Sequence, residues 1–275
     1  SRLDAHSLYG LWHSPRIHFR YEHSSGLVLR LGAGQAWQEP WIFAQNASFF
    51  FSGRKLEINT SAKELPYGLK AERGRSVNFS ANLNYRLLPG KGSILLDVYA
   101  AGMQHQVIAD AESAGILRIY NSPGMGETQG AGLQVDQKFG RKLNVRLAGR
   151  YAASWMEYAD QRRMRPLHSF YRGLATIDFS PGRNFHISSS LQFHGRKRLY
   201  GTSDFSSPFP LWNMQISNVR EGRYEIALGA ENLLNFLQRD LVQFPEVPLS
   251  PDFDAARIWG PSIGRMFYLN FRMMY

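Results

Sequence analysis

The sequence predicts an all-β fold, an antiparallel transmembrane β-barrel of which this chain supplies about 11 strands. Three features predict it: apolar and polar side chains alternate with a period of two in segment after segment, many segments exceed ten residues, and short connections alternate with long ones. Such alternation marks a strand with two unlike faces. Of the 275 residues 44% are apolar and 20% charged, too apolar a balance for a disordered chain. Nothing approaches the roughly 20 apolar residues a membrane-spanning helix needs. The absence of cysteine excludes disulfides, thiolate metal sites and a cysteine nucleophile.

The segments lie near 15–22, 26–36, 73–87, 93–109, 115–138, 142–157, 166–180, 184–196, 209–219, 223–233 and 264–275. The clearest sets Val77, Phe79, Ala81, Leu83, Tyr85 and Leu87 against Ser76, Asn78, Ser80, Asn82, Asn84 and Arg86. Leu143, Val145, Leu147, Gly149 and Tyr151 oppose Asn144, Arg146, Ala148 and Arg150. Phe185, Ile187, Leu191 and Phe193 oppose His186, Ser188, Ser190, Gln192 and His194, while Tyr224, Ile226, Leu228 and Ala230 oppose Arg223, Glu225, Ala227 and Glu231. The last segment places Phe267, Leu269, Phe271, Met273 and Tyr275 on one side and Asn270 and Arg272 on the other. The segment at 115–138 is irregular, interrupted by Asn121-Ser-Pro-Gly124.

A soluble sandwich keeps its strands near five or six residues and joins its apolar faces across a dry core. A membrane barrel uses longer strands, an outward apolar band and a wet interior. The length of these segments and their Asn, Ser, Gln, His and Arg face select the barrel. Short turns fall at 22–26, 88–92, 139–142, 181–183 and 220–222, and long connections at 37–72, 110–125, 158–165, 197–208 and 234–263. This is the pattern of periplasmic turns and extracellular loops. Followed along the chain, it places Ser1 on the loop side and Tyr275 on the turn side. A complete bacterial barrel has both ends on the periplasmic side, so the expectation is part of a larger barrel.

Three stretches carry a family resemblance. Leu29-Arg-Leu-Gly-Ala-Gly-Gln-Ala-Trp37 with Pro40-Trp-Ile-Phe-Ala-Gln-Asn46 resembles the Arg-x-Ser-x-Gly-x-Gly-Phe-Arg-x-Pro segment of TonB-dependent outer-membrane receptors, with Gln35 and Gln38 where a basic or aromatic residue is usual. Gly229-Ala-Glu-Asn-Leu-Leu-Asn235 is similar to that family's Gly-x-x-Asn-Leu-x-Asn/Asp segment, and Gly264-Arg-Met-Phe-Tyr268 through Tyr275 to its closing strand with a terminal aromatic. The resemblance implies that residues 1–275 are the C-terminal part of a barrel of about 22 strands around a plug, with the plug and first half of the wall absent. It implies import of a scarce, large nutrient such as an iron-siderophore, a cobalamin or a glycan across the outer membrane of a Gram-negative bacterium. Energy would come from TonB acting through the missing N-terminal plug.

The alternatives are a complete small porin-like or adhesin barrel and, further off, an outer-membrane barrel hydrolase; no spacing of Ser, His and acid picks out a nucleophile. His186 and His194 share a face but stand about 26 Å apart at 3.3 Å per residue, too far for one metal ion. No catalytic residue, cofactor or metal is expected. The formal charge of +10 comes from Lys and Arg dispersed along the chain, which does not suggest nucleic acid. Candidate ligand-facing residues in the long loops are Trp41, Tyr67, Arg162, Arg163, Arg196, Lys197, Arg198 and Tyr200. The basic ones suit an anionic ligand or the phosphates of lipopolysaccharide. Phe209 and Trp259, next to strands, read as a girdle at the membrane edge.

Overall fold

The computed structural model describes residues 1–60, 62–87, 90–220 and 222–273. Expectations for Leu88 and Pro89, for Glu221 and for the terminal aromatic Tyr275 lie outside them. The chain opens with a hairpin of β1 (Arg2–His6) and β2 (Gly10–Ser14). Next come β3 (Arg16–Glu22), β4 (Leu27–Gln38), a one-turn helix α1 (Ile42–Gln45), β5 (Lys55–Ile58), β6 (Glu72–Leu87) and β7 (Gly90–Gln104). They are followed by β8 (Val107–Asp110), β9 (Ile116–Asn121), β10 (Gly126–Phe139), β11 (Leu143–Glu157), β12 (Arg162–Met164) and β13 (Tyr171–Phe179). The last four are β14 (Phe185–His194), β15 (Phe209–Arg220), β16 (Tyr224–Glu231) and β17 (Met266–Met273).

Eleven of these strands make one antiparallel wall in the order β17-β16-β15-β14-β13-β11-β10-β7-β6-β4-β3, with β12 paired to the loop-side end of β11. Each wall strand pairs with its sequence neighbour in the wall, and among the described residues β3 and β17 do not pair with each other. The curved sheet is therefore open along two edges.

Burial is inverted relative to a soluble protein. Val77 is 46% exposed, Leu147 55%, Phe193 40% and Phe271 60%. They do not lie in a dry core. Cross-strand pairs keep this face continuous: Phe19↔Leu31, Leu31↔Phe79, Phe79↔Val98, Val135↔Leu147, Ile177↔Val145, Ile187↔Ile216, Ile216↔Leu228 and Leu228↔Leu269. Toward the loop side it carries Tyr151, Tyr171, Phe193 and Trp212, with Tyr171 stacked on Phe193 at 6.0 Å. Toward the turn side it carries Tyr21, Phe139, Phe179 and Phe185. Aromatic rings at both ends of an apolar band are what two lipid–water boundaries select.

The other face is polar and internally bonded. Arg146 donates to Asp136 at 2.6 Å, as does Gln134 at 2.6 Å; Ser188 donates to Asp178 at 2.8 Å, and Tyr268 to Gln215 at 2.8 Å. Two tyrosines on this face sit opposite glycine, Tyr99 across from Gly130 and Tyr268 across from Gly229. A Cβ added to Gly130 would stand 2.7 Å from the Tyr99 ring, and one at Gly229 would stand 2.2 Å from the Tyr268 ring. Each ring thus lies over the space that a side chain opposite would take.

Three expectations need correction. The segment at 93–109 ends as wall at Gln104, because His105 turns the chain with a positive φ of 53°, and Val107–Asp110 joins another sheet. The segment at 115–138 is two strands, of which only β10 belongs to the wall. Phe209 is no lipid-facing girdle residue: it pairs with His194 of the polar face and is buried, stacked 4.8 Å from His194 and 4.7 Å from Phe236. Trp259 leans on that stack at 6.0 Å from Phe209.

Leu147 is exposed on the apolar outer side of β11, so Leu147→Arg is expected to cost about 2–4 kcal/mol when the protein carrying this chain is unfolded by denaturant from lipid vesicles. Asn82→Arg on the inner face is expected to cost much less. Equal costs would mean that the two faces are wrongly assigned.

Candidate ligand-binding face

The apolar clusters of buried residues among the described residues lie in the long loops and at the loop-side end of β11. Ile42, Leu69, Ala111, Leu117, Ile119, Tyr200 and Ala256 form one, with Phe49, Leu56, Ile58 and Leu167 against it; Ile108, Tyr120, Met156 and Tyr158 form the other. Their scaffold is a three-stranded sheet, β5-β9-β8, in which β5 runs parallel to β9. Parallel pairing needs a long crossover, and here the whole β6–β7 hairpin of the wall intervenes.

Two ion pairs bolt these loops together. Arg54 donates to Asp254 at 3.0 Å, with both side chains almost fully buried, and to the Ser113 carbonyl at 2.8 Å. Asp254 also accepts from the Tyr200 hydroxyl at 3.2 Å and the Ala256 amide at 2.8 Å. The Tyr200 ring has the Arg54 guanidinium 5.6 Å and the Arg257 guanidinium 5.1 Å from its centroid. Arg198 grips both carboxylate oxygens of Glu112 at 2.6 and 3.1 Å and donates to the Met164 carbonyl at 2.7 Å. Burial, and then the neighbouring carboxylate, push the hydroxyls of Tyr200 (beside Asp254) and Tyr158 (beside Glu112) up from their ordinary values, so both stay protonated. Burial works against the charge of Arg198, but its hydrogen bonds to Glu112 outweigh that and hold it protonated.

Against this layer the candidate residues fall into separate groups. Arg198 and Tyr200 are interior, with their polar groups engaged by protein. Lys197 donates to the Trp259 carbonyl with its amine 5.6 Å from the Phe209 ring centroid; burial and Arg172 lower its pKa. Arg163 pairs with Asp160 at 2.5 Å over the Tyr158 ring. Arg162 pairs with Glu127 and Glu157 over the Trp155 ring. Glu127, Trp155 and Glu157 share the parity of Leu133 and Leu147, so Arg162 sits on the outer side rather than over the interior. Arg196 is exposed.

Trp41 and Tyr67 are exposed on one loop. Trp41 donates its indole N–H to Glu39 at 2.7 Å. Tyr67, held at a positive φ of 54°, meets Phe43 edge-on at 5.8 Å, and Phe43 lies 5.3 Å from Phe50. These rings form an open aromatic surface on a loop whose other side is packed by Ile42 and Leu69. Below, at the loop-side end of the inner face, Arg16, His18, Ser76, Asn78, Gln106 and Arg165 border a recess of about 420 Å³. Among the described residues no group of three or more His, Asp or Glu is placed to hold a metal ion.

Glu112 and Asp254 were not legible as functional partners: Arg198 and Glu112 are 86 residues apart, Arg54 and Asp254 200. The available signal was apolar runs that break the wall's alternation, Val107-Ile-Ala109 and Ile116-Leu-Arg-Ile119.

The family profile described as TonB dependent receptor-like, beta-barrel matches residues 1–233. The chain belongs to this family. No curated protein sequence matches it significantly. Among solved structures it is similar to the copper transporter OprC, at 14% identity and a TM-score of 0.70, over 94% of this chain and 38% of that one. It is similar to a variant of the ferric enterobactin receptor of Pseudomonas aeruginosa in complex with enterobactin, at 15% identity and a TM-score of 0.67, over 98% of this chain and 41% of that one. For the ferric-catecholate import receptor Fiu of E. coli the figures are 10% and 0.65, over 96% and 35%. At these identities the likeness concerns the fold, and the chain spans about two fifths of these structures or less. The family and these structures are receptors and transporters.

Removing one partner of the buried pair leaves an uncompensated charge, so Asp254→Ala is expected to cost the loop layer about 3–5 kcal/mol. Hydrogen exchange should show faster opening across 234–263 with the wall strands unchanged. Uniform exchange would contradict a bolt confined to the loops.

His168, outside the wall strands, has its pKa lowered from 6.5 by burial and then by Arg165, Arg172 and Arg150. Below about pH 6.5 the unfolded chain therefore binds a proton that the native loop does not, and stability falls with falling pH until the depressed native pKa is reached. Protease protection of this loop should weaken from pH 7.5 to 5.5, and His168→Gln should flatten that slope. Protection that strengthens on acidification would refute the assignment.

Proposed function

We propose that this chain is the C-terminal part of the barrel of an outer-membrane receptor that imports a scarce, large nutrient, such as an iron-siderophore, a cobalamin or a glycan, in a Gram-negative bacterium. The observation that carries the reading is the eleven-stranded wall with its apolar face outward, in a chain of the TonB-dependent receptor family. The structural neighbours include a receptor holding enterobactin and a copper transporter. A small metal ion or chelate is therefore as good a cargo class as the larger ones.

In this reading a plug and the remaining strands precede residue 1. Support comes from the two unpaired edges and from the share of each neighbour that the chain covers. TonB would act through that plug, and outer-membrane lipid and lipopolysaccharide would surround the apolar face. Arg162, on the outer side, would be closer to lipopolysaccharide phosphates than to the cargo. Ligand capture is assigned to the exposed aromatic surface of Trp41 and Tyr67, together with Arg196. No nucleic acid takes part and no catalysis is assigned. A closed small barrel is disfavoured by the same unpaired edges.

Uptake of radiolabelled ferric catecholate, ferric hydroxamate, cobalamin and copper by cells that express the full-length protein, compared with a deletion strain, tests this. Energy-dependent uptake of one cargo, lost when TonB is deleted, is expected. Trp41→Ala with Tyr67→Ala should lower apparent affinity about tenfold or more with normal surface abundance. Uptake that persists without TonB would overturn the proposal. The 275 residues alone should aggregate rather than refold as a heat-modifiable monomer, since both wall edges are open.

A further inference from the structure

Arg150 on β11 and Arg172 on β13 are register partners on the polar face, and Arg172 is in turn opposite His194 on β14. Side chains directly opposite in an antiparallel pair start about 4.5–5.5 Å apart at Cβ, and like charges there destabilise the sheet. Arginine cannot relieve this by losing its proton. The neighbouring Arg146 has its carboxylate, Asp136, at 2.6 Å. Among the described residues Arg150 has only a neutral partner, donating to the Tyr99 hydroxyl at 2.7 Å with its guanidinium 5.3 Å from that ring. Among the described residues Arg172 makes no ion pair and no side-chain hydrogen bond. The His194 Nε2 is buried with no hydrogen-bond partner among the described residues.

These three residues border a recess of about 450 Å³, with Asp97, Gln134 and Gln192. Asp97 is its one acid. It is separated from Arg150 by Gly132 in the register and packs over that glycine, and among the described residues it makes no ion pair with either arginine. Lys197, near Arg172, adds to the positive field and is engaged with the Trp259 carbonyl. The wall thus holds two exposed fixed cations side by side with room in front of them, flanked by a histidine ring whose Nε2 is buried. Paired planar guanidiniums match the two oxygens of a carboxylate.

We propose that Arg150 and Arg172, with His194 beside them as a neighbour rather than a ligand, form an oxyanion site on the inner wall that takes a carboxylate. The site requires only that the polar face be the inner one, so it stands or falls separately from the transport reading. Two sources supply the same chemistry: a free anionic ligand in the lumen, or a side-chain carboxylate of polypeptide lying against this wall in the intact protein.

The test uses the full-length protein in detergent, with selenate as the anionic probe, followed by calorimetric titration and by the selenium anomalous signal in crystals. If the site is open to ligands, selenate lies between the two guanidiniums. Arg172→Gln then weakens it at least tenfold while leaving Tm unchanged or raised, since a repulsion is removed. If polypeptide supplies the anion, a carboxylate already occupies that position, selenate does not compete, and Arg172→Gln lowers Tm. Arg150→Gln should follow the same pattern as Arg172→Gln in either case, and Arg172→Lys should retain part of the effect. An interior with neither selenate nor carboxylate between the guanidiniums, and with binding and Tm indifferent to both Gln variants, would overturn the proposal.

Discussion

The backbone of this protein has to satisfy its hydrogen bonds sideways. In the wall of a transmembrane barrel no water reaches the N–H and C=O groups of the spanning strands, and each group left unpaired costs several kcal/mol. A continuous ladder from β3 to β17 meets that demand everywhere except at its two outer edges. Strand length, neighbour-to-neighbour connectivity and the outward placement of Phe, Leu and Val all follow from it. So does the absence of a conventional core between layers: the wall is one sheet thick, and its stability comes from the ladder and from whatever solvates each face.

The loops answer a different solvent. Facing water, they bury apolar residues among themselves, and they do so as a small domain would, with a mixed sheet, two apolar clusters and buried ion pairs. The Arg54–Asp254 and Arg198–Glu112 pairs connect segments far apart in the chain, so the loops form a layer rather than independent flaps. A buried pair adds little net stability compared with apolar packing, but losing one member is costly. The pairs therefore fix which loop meets which. Their partners, Tyr200 and Tyr158, contribute ring surface and a neutral hydroxyl, which suits residues that hold loops together better than residues that meet a ligand.

Much of the wall was legible in the sequence because lipid enforces a strict period. Val77 to Leu83 alternate without exception, and Leu143 to Tyr151 do so but for Ala148 and Gly149. The loop layer was much less legible. Val107–Asp110 and Ile116–Asn121 pack against an apolar cluster on each face, so they carry short, largely apolar runs that blend into the adjoining wall strands. Ion pairs spanning 86 and 200 residues leave no local trace at all. Phe209 misled for a simpler reason: an aromatic next to a strand end is the mark of a membrane girdle, and only its register opposite His194 reveals that it points the other way. The hairpin at Arg2–Ser14 was missed because each of its strands is only five residues long.

The pairing of Tyr99 with Gly130 and of Tyr268 with Gly229 bears on how much the lumen can hold. A phenol that folds down onto a bare patch of backbone keeps its bulk within the thickness of the sheet instead of jutting toward the axis. Each such pair keeps the inner face low at that level, and the Tyr99 hydroxyl still accepts a hydrogen bond from Arg150. An alanine at Gly130 or Gly229 would lift the ring off the wall and narrow the passage at that level, a steric change with no alteration in charge.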